Sequence, residues 1–132
     1  MALTGTLSSL GENNARRLTF TNPIIKQSIP DPTIIKASDG YFYLYGTEDT
    51  RNMPIYRSRN LIDWMFVGTA FTEATRPRTV KPYVSYKDGN GNTVEAGMWA
   101  PDINYINGQY VLYYAIGVWG VLNKSGVGVA TS

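Results

Sequence analysis

One pattern occurs twice along the chain and sets the strongest limit on its fold. Each copy has a Pro-Asp step, a four-residue run with two isoleucines, a two-residue hairpin signal and an aromatic strand. The first copy spans residues 30–45 and turns at Asp39-Gly40, and the second spans residues 101–114 and turns at Asn107-Gly108. The two Pro-Asp steps lie 71 positions apart. Short β-rich elements that return at this spacing predict an all-β fold built from repeated units.

The first copy continues into a four-stranded meander. Residues 54–58 and 64–68 are typical of a third and a fourth strand, with polar turns before each of them. In the second copy, residues 127–132 align with the third strand, and no fourth strand follows. A recurring four-stranded unit is typical of a β-propeller blade, so the sequence predicts about two blades. A β-sandwich is the main alternative, but it does not predict the returning Pro-Asp step.

The chain divides where this pattern begins. Residues 1–21 are polar and predict a loosely ordered leader, with a short edge strand near residues 18–20 as an alternative. Residues 22–132 are predicted to form the two blades, of which the second is incomplete. Since two blades cannot close a ring, we expect a truncated or split protein, or a partner that supplies the remaining blades.

The composition excludes several kinds of chemistry. The chain contains no histidine and no cysteine, which rules out Ser-His triads, thiol nucleophiles, disulfides and His- or Cys-ligated zinc. The net charge of +2 comes from scattered residues, which argues against nucleic-acid binding. No apolar run approaches the roughly 20 residues of a membrane helix. Acid-base chemistry in this chain would therefore use carboxylates, lysine or tyrosine.

Asp31 and Asp102 are the first candidates for such chemistry. Each precedes the innermost strand of a predicted blade, and innermost strands start near the mouth of a propeller's central funnel. The two carboxylates are therefore expected to converge on one face, where they can shift each other's pKa and divide acid and base roles. The alternative is that each aspartate merely caps a turn beside proline.

Further motifs accompany these aspartates in a fixed order along the chain, at residues 29–35, 39–47, 55–64, 99–103, 107–114 and 126–132. Together they resemble glycoside hydrolase family 43, and the resemblance extends over residues 22–132. It implies a five-bladed β-propeller and an inverting glycosidase. Within the family, the chain resembles arabinan-degrading members more than β-xylosidase-like members.

The resemblance assigns roles to both aspartates. Asp31 would be the general base that activates water, and Asp102 would be the carboxylate that orients the general acid and tunes its pKa. The general acid of the family is a glutamate in a later blade, so we expect this chain to be inactive by itself. It also implies that a structural calcium ion in the complete propeller would take its ligands largely from elsewhere, so no metal or other cofactor is predicted for this chain.

Other side chains could contribute to a site. Glu48, Glu73 and Glu95 are the local carboxylates on the funnel side, but none matches the acid motif of the family, and we expect them to have surface or binding roles. Trp99 and Trp119 are predicted to stack on sugar rings, although Trp99 could instead pack between the blades. The long segment of residues 71–97 is expected to form a hairpin at the funnel rim around residues 88–91.

These observations leave three functions open. The first is part of a glycosidase that acts on arabinose- or xylose-containing plant polysaccharide. The second is a non-catalytic carbohydrate-binding propeller fragment, and the third is a structural or interaction domain. We expect an oligo- or polysaccharide substrate, no nucleic acid and no membrane, and as further partners the remaining blades or another copy of the chain. We expect a secreted or periplasmic protein. Because the N-terminal residues lack a signal-peptide pattern, this location requires a signal that was removed, and a cytosolic protein is the alternative.

Overall fold

The computed structural model describes residues 4–7, 18–47, 51–77, 86–94, 96–118, 120–121 and 123–132. All regular structure within these ranges is β, as the sequence predicts. No helix in the described residues is long and apolar enough to cross a membrane. The strands are β1 (Thr4–Leu7), β2 (Leu18–Thr21), β3 (Thr33–Lys36), β4 (Phe42–Tyr45), β5 (Pro54–Ser58), β6 (Met65–Thr69), β7 (Tyr86–Lys87), β8 (Thr93–Val94), β9 (Gly97–Ile106), β10 (Gln109–Gly117) and β11 (Ser125–Thr131).

The first blade is an antiparallel four-stranded sheet in the order β3-β4-β5-β6. Its hairpin at Asp39-Gly40 forms as predicted, because Gly40 has a φ of 83° and the Asp39 carboxylate accepts a hydrogen bond from the Tyr41 amide. A second turn is held by Asn60, whose Oδ1 accepts hydrogen bonds from the amides of Ile62 and Asp63. These turns fix the register of the meander.

The second blade is a three-stranded antiparallel sheet in the order β11-β10-β9. Its β9–β10 hairpin turns at Asn107-Gly108, where both residues have positive φ angles of 51° and 85°, as a type I′ turn requires. Strand β9 begins six residues before the start expected from the sequence, because Gly97–Trp99 also pair with β10.

A β-bulge interrupts the pairing of β9 with β10. Asp102 pairs with Tyr113 and Trp99 pairs with Ala115, so Ala100 and Pro101 together lie opposite Tyr114. Proline suits this position because it has no N–H to donate to the sheet. The bulge places Met98 and Ile103 on the same, buried face of β9, although they are five positions apart.

The main core lies between the two blades. Met53 and Met98 are fully buried. The rings of Phe71 and Tyr114 pack in an edge-to-face arrangement, with 5.4 Å between their centroids. The innermost strands β3 and β9 lie side by side across this interface. The buried members of the core are Met53, Phe71, Ala96, Met98, Ile103, Leu112, Tyr114, Ile116 and Val118.

Two short ribbons complete the described structure. Strands β7 and β8 form the hairpin predicted within residues 71–97, and the Asp88 carboxylate accepts hydrogen bonds from the amides of Asn90 and Asn92 in its turn. Strands β1 and β2 pair with each other within the predicted leader. The division of the chain at residue 21 stays a prediction.

Candidate active site

Asp31 lies immediately before the innermost strand of the first blade. Its side chain is exposed, and its φ of 50° places it in the left-handed region that few non-glycine residues adopt. Pro32 follows and leads the chain into β3. An exposed carboxylate held in a sparsely populated backbone conformation is typical of functional sites.

Thr47 connects Asp31 with the second blade. Its hydroxyl donates a hydrogen bond to Asp31 Oδ2 over 2.7 Å, and its Oγ1 accepts a hydrogen bond from the Ala100 amide over 2.8 Å. The Thr47 amide also donates to the Pro30 carbonyl over 2.9 Å. The two Pro-Asp steps are therefore neighbours, joined through a single threonine.

Asp102 lies in β9, just beyond the bulge. It is exposed, whereas its neighbours Pro101 and Ile103 are buried and Ile103 belongs to the core between the blades. Its side chain therefore lies on the face of β9 that points away from the interface between the blades. Within the described residues no hydrogen bond joins Asp102 to Asp31, so the structure brings the two Pro-Asp steps together without pairing their carboxylates.

Of the two tryptophans predicted to stack on sugar rings, the structure describes Trp99. Trp99 is half-buried and pairs with Ala115 across the sheet, and its ring lies over Gly97, where an added Cβ would be 3.1 Å from Trp99 Cε2. It occupies the face of β9 opposite that of the buried Met98. Its proposed contact with sugar stays a prediction. Trp119 lies outside the described residues.

Glu73 is the one described residue among the three glutamate candidates. Its carboxylate forms an ion pair with Arg51 and accepts a hydrogen bond from Asn52 Nδ2 over 2.9 Å. The hydrogen bonds from Arg51 and then from Asn52 lower the pKa of Glu73 to about 2. A carboxyl group with this pKa is ionised near neutral pH and has no proton to donate, as expected for a residue that is not the general acid. Glu48 and Glu95 lie outside the described residues.

Asn52 extends this cluster into the fold. It is buried, and its Oδ1 accepts a hydrogen bond from Arg76 Nη1 over 2.9 Å. Arg76 thereby ties the segment after β6 to the loop before β5. The described part of the chain contains no group of three or more acidic side chains that could hold a metal ion.

The role of Thr47 in linking the two Pro-Asp steps is not evident from the sequence. Thr47 belongs to the quoted motif of residues 39–47, but an isolated threonine after an aromatic strand has no distinctive signal. One geometric clue is present: in an antiparallel meander, the end of the second strand returns to the side where the first strand starts. That clue places Thr47 near Asp31 but does not predict the hydrogen bond.

The family model for "Glycosyl hydrolases family 43" matches residues 20–132. A β-xylosidase from Bacillus subtilis is 31% identical over 96 residues, which cover 72% of this chain and 16% of that protein. The extracellular endo-α-(1→5)-L-arabinanase 1 of the same organism is 31% identical over 103 residues, which cover 77% of this chain and 29% of that protein. The chain thus spans less than a third of the length of these relatives.

Solved structures show the same fold. The native arabinanase Arb43A of Bacillus subtilis matches 81% of this chain and 34% of its own chain, with 32% identity and a TM-score of 0.63. The α-L-arabinanase of Cellvibrio cellulosa, solved in complex with arabinohexaose, matches 80% of this chain and 29% of its own, with 28% identity and a TM-score of 0.61. These matches confirm the predicted class, a part of a five-bladed β-propeller.

Proposed function

Because the chain belongs to family 43 of the glycosyl hydrolases, we propose that it is part of an inverting enzyme that cleaves α-L-arabinofuranosyl or β-D-xylosyl linkages in plant polysaccharide. The names of its relatives include both activities, arabinanase and β-xylosidase. The structural similarity to arabinanases supports the arabinan-type substrate.

The observation that carries the proposal is the placement of Asp31. In an inverting reaction, water attacks the anomeric carbon, the bond to the leaving oxygen breaks, and one carboxylate accepts the proton that the water loses. A second carboxyl group protonates the leaving oxygen from the other side of the sugar, about 6.5–9.5 Å away. Asp31 is exposed, precedes the innermost strand and accepts a hydrogen bond on one carboxylate oxygen, all of which suit a general base.

The other site residues have supporting roles in this proposal. Asp102 is proposed to orient the general acid and tune its pKa, and its exposure away from the interface between the blades leaves it accessible to residues outside this chain. Trp99 and Trp119 are proposed to stack on sugar rings. Arg51 holds Glu73 ionised, and neither Glu48 nor Glu95 matches the acid motif of the family, so we propose that the general acid comes from outside this chain and that the chain alone is inactive.

The proposal also covers assembly and location. The remaining blades, or another copy of the chain, would complete the ring, and any calcium ion on its axis would take its ligands largely from those parts. Two relatives are described as extracellular, an exo-α-(1→5)-L-arabinofuranosidase from Streptomyces avermitilis and the arabinanase of Bacillus subtilis. We therefore propose that this protein acts outside the cytoplasm.

The test is the Asp31→Asn variant of the full-length protein that contains this chain. We expect the release of reducing sugar from linear arabinan to fall by about 100- to 10,000-fold, the usual contribution of a general base. Arabino-oligosaccharides should still raise the melting temperature, because the isosteric amide preserves the binding surface. Asp63→Asn, at an exposed aspartate that accepts a hydrogen bond from Asn60 in a turn, is the matched control and should keep the rate.

Two outcomes would argue against the proposal. If Asp31→Asn hydrolyses arabinan and xylan substrates as fast as the wild-type protein, Asp31 is not the base. If the wild-type full-length protein binds these sugars without cleaving them, the protein is a carbohydrate-binding propeller.

A further inference from the structure

Thr47 is a buried residue with no assigned role that hydrogen-bonds to both blades. Only 8% of its surface is exposed, and it contacts residues at or next to both Pro-Asp steps. Its amide and its hydroxyl bind residues 30 and 31, and its Oγ1 binds Ala100 in the second blade. The Thr47 side chain therefore links Asp31 directly to the innermost strand of the neighbouring blade.

The hydrogen bonds from Ala100 to Thr47 and from Thr47 to Asp31 can run in only one direction. An amide N–H can donate but not accept, so Ala100 gives its hydrogen to Thr47 Oγ1. The one hydrogen of the Thr47 hydroxyl is then free for Asp31 Oδ2, 2.7 Å away. An ionised carboxylate accepts such a bond readily, and a hydrogen bond to a charged group is stronger than a neutral one.

The geometry leaves the other carboxylate oxygen available. Asp31 Oδ2 is occupied by Thr47, whereas Asp31 Oδ1 has no hydrogen-bond partner within the described residues. Both ends of the chain of hydrogen bonds are also strained, since Asp31 and Ala100 have φ angles of 50° and 45°. Strain of this kind persists only where the surroundings hold the backbone in place, and it concentrates at functional sites.

We infer that Thr47 is a positioning residue, which holds Oδ2 of Asp31 so that Oδ1 faces the attacking water. This inference rests on the proposed function, because it assigns Thr47 a role only if Asp31 is the general base. Thr47 neither gains nor loses a proton in the reaction. Its contribution is to restrict the carboxylate to one orientation, and misplacement of a catalytic group by about 1 Å can reduce a rate about 100-fold.

The test compares Thr47→Val and Thr47→Ser in the full-length protein. Valine preserves the shape but removes the hydroxyl, and we expect kcat on linear arabinan to fall about 10- to 100-fold with KM changed by less than about twofold. Serine keeps the hydroxyl and should restore most of kcat. Thr69→Val is the control, because it removes another half-buried hydroxyl, which donates to the Phe71 carbonyl, and should affect stability without this loss of kcat.

A double variant separates positioning from a structural role. If Thr47 acts through Asp31, then Thr47→Val should cause no further loss of rate in a protein that already carries Asp31→Asn. A further loss equal to that of the single variant would overturn the inference, as would a kcat unchanged in Thr47→Val. A failure of Thr47→Ser to restore kcat would also overturn it. If Thr47→Val does not fold, Thr47→Ala provides the same comparison without added volume.

The two proposals fail in different ways. An active Asp31→Asn variant refutes the assignment of the base, and with it the role of Thr47. An inactive Asp31→Asn variant together with a fully active Thr47→Val variant refutes only the positioning role.

Discussion

Gly128 provides the sharpest test of the packing in the second blade. It lies directly opposite Tyr114 in the β10–β11 pair. A Cβ added to Gly128 would lie 2.5 Å from Cε2 and Cζ of Tyr114 and 2.8 Å from its hydroxyl oxygen. Because carbon atoms prefer separations of about 3.5–4.0 Å, the methyl group of alanine would overlap the ring by about 1 Å.

The Tyr114 ring has little space into which it can move. Only 3% of its surface is exposed, and it packs against Phe71 in the core between the blades. Gly128 has no positive φ, so alanine would add no backbone strain, and the whole cost would be steric. Overpacking of this kind costs about 1–3 kcal/mol of folding free energy. With an unfolding entropy of about 2.1 cal/mol/K per residue over the 132 residues, the melting temperature should fall by about 4–11 °C.

The measurement is the urea midpoint of unfolding for Gly128→Ala, supported by a thermal scan. Gly89→Ala is the matched control, because a Cβ at Gly89 meets no atom within 4 Å and Gly89 also has no positive φ. That variant should unfold at the same urea concentration as the wild-type protein or slightly above it, since alanine restricts the unfolded chain.

A second substitution shows whether the clash is the cause. In a Tyr114→Leu background the ring is absent, so Gly128→Ala should cost much less than it does in the wild-type protein. The reasoning would be refuted if Gly128→Ala were as stable as Gly89→Ala, or if its cost were the same with and without the tyrosine ring.

Three further predictions concern other parts of the fold. Glu73→Gln removes a carboxylate whose pKa is lowered from 4.5 to about 2, so the variant should be less stable than the wild-type protein above pH 4.5. Urea midpoints measured at decreasing pH should converge as the pH falls towards 2, because the stabilisation is lost when Glu73 is protonated in the folded state. Asn60→Ala removes hydrogen bonds to two amides in the turn before β6 and should cost about 1–3 kcal/mol, measured by urea unfolding, with Asn90→Ala as the control. Gly108→Ala forces a side chain into a φ of 85° and should cost about 1 kcal/mol or more in the same assay, whereas a neutral result would contradict the assigned turn.

Local signals in the sequence predict much of the fold. The hairpins at Asp39-Gly40 and Asn107-Gly108 form where expected, because each pair contains residues that tolerate positive φ. The third strand of the first blade has the predicted bounds, residues 54–58, and its side chains alternate between buried and half-buried positions. The strongest signal was the return of the whole pattern, which predicts two similar sheets.

The features of the fold that the sequence does not predict depend on contacts between residues far apart in the chain. Met53 follows a polar loop and has a φ of 61°, and nothing in its neighbourhood predicts that it is fully buried against the second blade. The early start of β9 likewise depends on β10, with which residues 97–99 pair.

The candidate site was predictable to a similar degree. The repeat identifies Asp31 and Asp102 as equivalent positions and places both at innermost strands. It does not reveal that Thr47 binds Asp31, because this contact joins residues 16 positions apart through the end of a neighbouring strand. It also does not reveal that Asp102 lies on the face of β9 away from the first blade, because that depends on the bulge.

The bulge at Ala100 and Pro101 makes this part of the chain tolerant of a change in length. The two residues share the position opposite Tyr114, so loss of one of them would leave a regular ladder in which Trp99 still pairs with Ala115 and Asp102 with Tyr113. Met98 and Ile103 would stay on the buried face, and Asp102 would stay on the exposed one. Such a deletion would instead alter the hydrogen bond from the Ala100 amide to Thr47 Oγ1, so it should preserve the fold and affect the site. Among descendants of this gene, a one-residue deletion within β9 should therefore occur at the bulge rather than elsewhere in the strand.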